Sequence, residues 1–119
     1  MGYVIIRPIR GTDEYVIWCT GTERPVAVGD REEIARDAAA IEPDRADHQA
    51  RLDHTDLHGS SMVPYGFGWW DDDAFIYEQR GLLPRARLAE AARLLIDDRD
   101  SEVWDLLEPF EDGTAVRRG

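Results

Sequence analysis

Lysine is absent from this chain: all fourteen basic residues are arginine, set against twenty-five aspartates and glutamates for a formal charge of −11 over 119 residues. Such a surface repels bare nucleic acid and anionic lipid unless its bases gather on one face. No such cluster is visible, so neither direct nucleic-acid binding nor membrane binding is expected. GC-rich coding explains the arginines as readily as selection for bidentate contacts does. The acids could imitate the phosphate array of DNA, but Asp30-Arg31, Asp44-Arg45 and Asp98-Arg99 interrupt any continuous negative stripe. A DNA-mimic inhibitor is therefore the least favoured reading.

Cysteine is nearly as scarce. Cys19 stands alone, cannot form an intramolecular disulfide, and points to a reducing compartment, so the cytoplasm is the expected address. Its apolar surroundings read as those of a small buried hydrophobe. No run approaches the roughly 20 apolar residues of a membrane span, and the N-terminus lacks the long apolar core of a signal peptide. Internal repeats and low-complexity segments are missing as well. So are the marks of catalysis: no nucleophile sits with a base, and Gly66-Phe67-Gly68 follows no clear strand and lacks the third glycine of a dinucleotide loop. The expectation is a protein that is not an enzyme and needs no cofactor.

What is present suits one globular domain, with 43% apolar residues spread along the length. Tyr3–Ile9 and Tyr15–Thr20 are rich in β-branched and aromatic residues, with turn chemistry at Arg10-Gly11-Thr12-Asp13 between them. Pro25–Val28 adds a third strand, giving an antiparallel meander with the second strand in the middle. Tyr15, Ile17 and Cys19 alternate with Val16 and Trp18, so that strand is apolar on both faces and needs a cover on each. Asp30 with Glu33 forms a capping box, ahead of a helix striped by Ile34, Ala38 and Ile41. A second, polar helix over Asp44–Leu57 has only Ala46, Ala50 and Leu57 as its stripe. Acids at the start of Asp72–Arg80, arginine at its end and Gly81 after it favour a short helix, with a strand over Ala74–Tyr77 as the alternative. Pro84 opens a helix with Leu88, Ala91, Ala92, Leu95 and Ile96 on one face, and Ser101 caps a last helix carrying Val103, Trp104, Leu106 and Leu107. The predicted architecture is α+β: an N-terminal three-stranded meander packed against helices, a helical C-terminal half, one domain over 1–110 and a flexible tail over 111–119.

Two groups of residues suggest function. Between Gly59 and Asp73 the chain reads GSSMVPYGFGWWDDD, which fits neither helical nor strand periodicity. Tyr65, Phe67, Trp69 and Trp70 are residue types enriched at binding hot spots, and Asp71, Asp72 and Asp73 would give the patch a negative rim. A partner protein with a basic segment suits that chemistry through stacking, cation–π contact and charge pairing. The bland reading is that the indoles are core. The leading expectation is a non-catalytic protein-binding or regulatory module, able also to pair with a second copy through a sheet edge. The other group is histidine. His54 and His58 lie four apart and Asp47 seven before His54, so a helix would put all three on one face, as a metal site in a small hydrolase requires. His48 points roughly 80° away from His58.

Overall fold

The computed structural model describes residues 2–62 and 67–116, and in it the first three apolar runs pair as an antiparallel sheet. Strands β1 (Tyr3–Ile6), β2 (Tyr15–Cys19) and β3 (Arg24–Gly29) lie in the order β1-β2-β3. Tyr3 faces Cys19 and Ile6 faces Val16 across the first pair. The second pair shifts register between Ile17 and Trp18, where Trp18 meets Pro25. A proline has no N–H for the ladder, so a bulge on an outer strand is where it is tolerated. Pro8 falls just beyond β1 instead of within it.

Both faces of β2 are covered by the chain itself. On one, Tyr15 and Ile17 pack with Ile5, with Ile34 and Ala38 of α1 (Arg31–Ile41) and with Leu52 of α2 (His48–His58). On the other, Val16 joins Val4 and Ile6 in a cluster completed from the second half of the chain by Leu83, Leu88 and Leu95. Helix α1 starts where the capping box placed it: the Glu33 N–H donates to the Asp30 carboxylate at 2.8 Å, and the Asp30 N–H donates to Glu33 Oε1 at 3.1 Å. Asp30→Ala should lower stability by about 1 kcal/mol in urea unfolding. An unchanged midpoint would show that the box adds nothing to the fold.

Helix α2 departs from its predicted anchoring. It begins at His48, Ala46 and Ala50 are exposed, and Leu57 is 70% exposed. The buried face is Arg51, Leu52 and Thr55. Apolar periodicity missed this face because its contacts include a cation: the Arg51 guanidinium lies under β1 and donates to the Tyr3 carbonyl at 2.6 Å.

The predicted helix over 72–80 is instead a strand, β4 (Ala74–Tyr77), paired antiparallel with β5 (Gly81–Pro84). Nine residues make a marginal helix, while Ala-Phe-Ile-Tyr beside Leu82 and Leu83 can bury one face as a hairpin. The turn is tight. The Arg80 N–H donates to the Tyr77 carbonyl at 2.8 Å, and Glu78 and Gln79 take φ of 47° and 60°. Acids before and a glycine after thus mark a hairpin that resembles helix ends. A 3-10 turn over Arg85–Arg87 leads into α3 (Leu88–Ile96), which buries Leu88, Ala89, Ala91, Ala92 and Leu95 but leaves Ile96 exposed. The one-turn helix α4 (Asp100–Val103) holds Ser101 inside its span instead of at its cap. Leu82 and Glu108 then exchange backbone hydrogen bonds at 2.8 and 2.7 Å, and Val116 packs on the same cluster. The architecture is α+β, with the hairpin added to the helices of the second half. Among the described residues no helix is long and apolar enough to cross a membrane.

Candidate functional site

The aromatic run is held by a residue that sequence reasoning passed over. Arg85 is 6% exposed, and its guanidinium donates to the main-chain carbonyls of Arg7, Pro8, Gly59, Gly68 and Trp69 at 2.7 to 3.1 Å, with Asp72 at 3.2 Å. Those carbonyls belong to the end of β1, the end of α2 and the aromatic run, three segments that one cation joins. Burial pulls the guanidinium below its ordinary value, and the fields of Asp72 and Asp73 oppose that pull. Two members of the acidic triplet therefore help to keep Arg85 charged. Gly59 makes room for this packing. It ends α2 in the left-handed region, φ 95°, and a Cβ there would stand 2.7 Å from Arg85 Nη2 and 2.9 Å from the Trp70 ring.

The structure distributes the expected binding residues unequally. Trp69 and Trp70 are both half-buried, and each indole N–H is committed internally, to the Met62 carbonyl at 2.9 Å and the Leu57 carbonyl at 3.0 Å. Trp69 stacks on His58 with ring centres 4.3 Å apart. The Trp70 ring centre lies 4.7 Å from the guanidinium carbon of Arg10 and 4.9 Å from that of Arg85. Phe67 is 42% exposed. Asp71 and Asp73 are exposed, whereas Asp72 is half-buried and accepts from the Gly68 N–H at 2.7 Å. Tyr65 lies outside the described residues.

Asp47, His54 and His58 do not assemble as ligands. Among the described residues no three of His, Cys, Asp and Glu form a group able to hold a metal ion. His54 and His58 meet, ring centres 4.4 Å apart, but as a tilted pair beside Trp69. His54 Nδ1 lies 2.9 Å from the Ser60 carbonyl and serves as its donor. Asp47 precedes the first turn of α2 and takes the Arg45 guanidinium, Nε to Oδ1 2.5 Å. Sharing a helix face was not enough, because seven residues separate Asp47 from His54 by about 10 Å along the axis.

A second polar hub was also missed. Asp56 accepts from the Tyr15 hydroxyl, from Arg31 and, at 3.4 Å, from Arg7 Nη1, while Arg31 also pairs with Asp53 at 2.8 Å. Burial first, and the bond to Asp56 second, raise the Tyr15 phenol above its ordinary value. With three donors on one carboxylate, this cluster ties α2 to α1 and β2. Arg85, Arg51 and Asp56 have no periodic signature, since a charged residue reads as solvent-facing until its partners are known.

Among the described residues one open feature is a cavity of about 840 Å³ between the β1–β2 face and β4. Ile6, Trp18, Phe67, Phe75, Ile76 and Tyr77 give it apolar walls, Glu23, Asp72 and Glu78 are its charged residues, and no described base borders it. Glu23, Glu78 and Gln79, three of the four described non-glycine residues at positive φ, line it. Such backbone strain concentrates at sites that need a fixed shape. The outer edge of β1 is closed by its own chain, the Arg7 N–H donating to Gly59 and the Ser61 N–H to Ile5, both at 2.8 Å. Among the described residues the edges with no strand beside them are those of β3 and β4. In comparison with known proteins the chain matches no family model, no curated protein and no solved structure.

Proposed function

We propose that this chain is a non-catalytic protein-binding module of the cytoplasm, regulatory in role, which receives a basic segment of another protein in the cavity beside β4. The observation that carries this reading is an apolar cavity of about 840 Å³ whose charged residues are all acidic. A volume of that order suits a ligand, and the chain's −11 charge draws basic partners towards it. The aromatic run contributes Phe67 and Asp72 to the walls. Trp69 and Trp70 keep the run closed onto α2, Asp71 and Asp73 add to the negative field, and Tyr65 belongs to the same run.

Selection of peptides from a random library against the folded protein tests this. Enriched sequences should combine apolar residues with arginine or lysine, and Phe67→Ala or Ile76→Asp should weaken their binding roughly ten-fold or more. Ile76 is 62% exposed and Phe67 42%, neither in the buried core, so the unfolding midpoint should stay near that of the parent. Enriched peptides whose affinity ignores both substitutions would remove the cavity from consideration.

A further inference from the structure

The hydrogen-bonding pattern of the hairpin says how the cavity could be filled. The Arg85 N–H donates to the Asp73 carbonyl at 2.7 Å, and Leu82 exchanges its two backbone bonds with Glu108, away from β4. In the register that sets Ala74 opposite Pro84 and Ile76 opposite Leu82, Phe75 and Tyr77 therefore make the ladder to β5. The N–H and C=O groups of Ala74 and Ile76 point the other way, along an edge that no described strand occupies. Ala74 and Ile76 lie on one face of β4, Phe75 and Tyr77 on the other, and all four border the cavity. A cavity bordered by both faces of a strand runs along its edge.

We infer that the cavity admits an extended peptide, alternating apolar and basic residues, that adds as a strand to the free edge of β4. The inference rests on the reading of the cavity as a peptide site and specifies the partner. Strand addition supplies affinity through main-chain hydrogen bonds and specificity through alternate side chains. Four residues of β4 present about 13 Å of edge. Basic side chains answer Glu23, Asp72 and Glu78, the cavity's charged residues, of which Glu78 also pairs with Arg80 at 3.3 Å and Asp72 lies in the field of Arg85. The turn at Glu78-Gln79, held at φ of 47° and 60°, fixes the end of that edge before any partner arrives. Within its four residues β4 carries no charge and no proline to block pairing.

The probe is an eight-residue peptide of alternating valine and arginine, titrated into the full chain and followed by amide NMR. The expected result is saturable shifts centred on Ala74–Gln79, no binding of the valine–glutamate counterpart, and a distinctive effect of backbone N-methylation. Methylating one alternate set of peptide amides should weaken binding roughly ten-fold or more, and methylating the other set should not, because only one set faces β4. Ile76→Pro, which removes an outward N–H, should weaken binding more than Ile76→Ala. Should Ile76→Pro fail to fold, the methylated peptides still decide. Binding at the cavity that neither methylation affects would overturn strand addition while leaving the peptide site standing. Equal binding of the glutamate peptide would overturn the basic partner. Absence of shifts with peptides of either charge would overturn the peptide site itself, and self-association of the free chain with shifts along β4 would assign the edge to a second copy.

Discussion

Arg85→Met should lower the free energy of unfolding by about 3 to 5 kcal/mol, the largest effect expected of any single substitution outside the apolar core. Methionine fills much of the arginine volume but offers no donor, so six carbonyls on three segments lose a shared partner in one step. An unsatisfied buried acceptor costs about 1 to 3 kcal/mol, and relaxation towards water recovers part of the sum. Arg85→Lys should recover little, because one ammonium cannot present donors in the planar fan that reaches β1, α2 and the aromatic run together. Urea unfolding followed by tryptophan fluorescence measures both variants. Trp70 lies against the Arg85 guanidinium, so its emission should also report loosening of the run at denaturant levels that leave the sheet folded. A loss below about 1 kcal/mol for Arg85→Met would mean that the guanidinium is carried by the fold instead of holding it.

Leu52→Ala should cost about 2 to 5 kcal/mol, whereas Leu57→Ala, five residues along the same helix, should stay within about 0.5 kcal/mol of the parent. The contrast follows from placement. Leu52 is fully buried between α1 and the Ile5–Ile17 face of the sheet, and Leu57 is 70% exposed. Thr55 cannot compensate, since its hydroxyl is committed to the Arg51 carbonyl at 2.7 Å. Thermal unfolding of the two variants side by side reads the difference directly. Equal losses would show that α2 meets the sheet through another face.

Local chemistry was legible where a residue's neighbours in sequence are also its partners. The Asp30–Glu33 box, the alternation within each strand of the meander and the apolar stripe of α3 as far as Leu95 depend on spacings of two to four residues, which survive folding. The hairpin β4–β5 was not legible in the same way. Its acids, arginine and glycine satisfy the rules for a helix end as well as those for a tight turn, and only pairing with Leu82 and Leu83 selects the strand. The aromatic run was recognisable as unusual, yet its residues divide between closing the chain onto α2 and lining a cavity.

Composition and patterning alone determined the sign of the charge, the α+β class and the order of the first strands, since these follow from residue type and short spacing. Tertiary structure decided which charges lie inside: the charged groups of Arg85, Arg51 and Asp56 are partnered by groups between 9 and 78 positions away. It also decided that Asp47 stands apart from the histidines, and that among the described residues no strand occupies the outer edge of β4, beside an apolar cavity with three acids. A buried charge is stable only among donors or acceptors that meet it in space, and separation along the chain carries no record of that meeting.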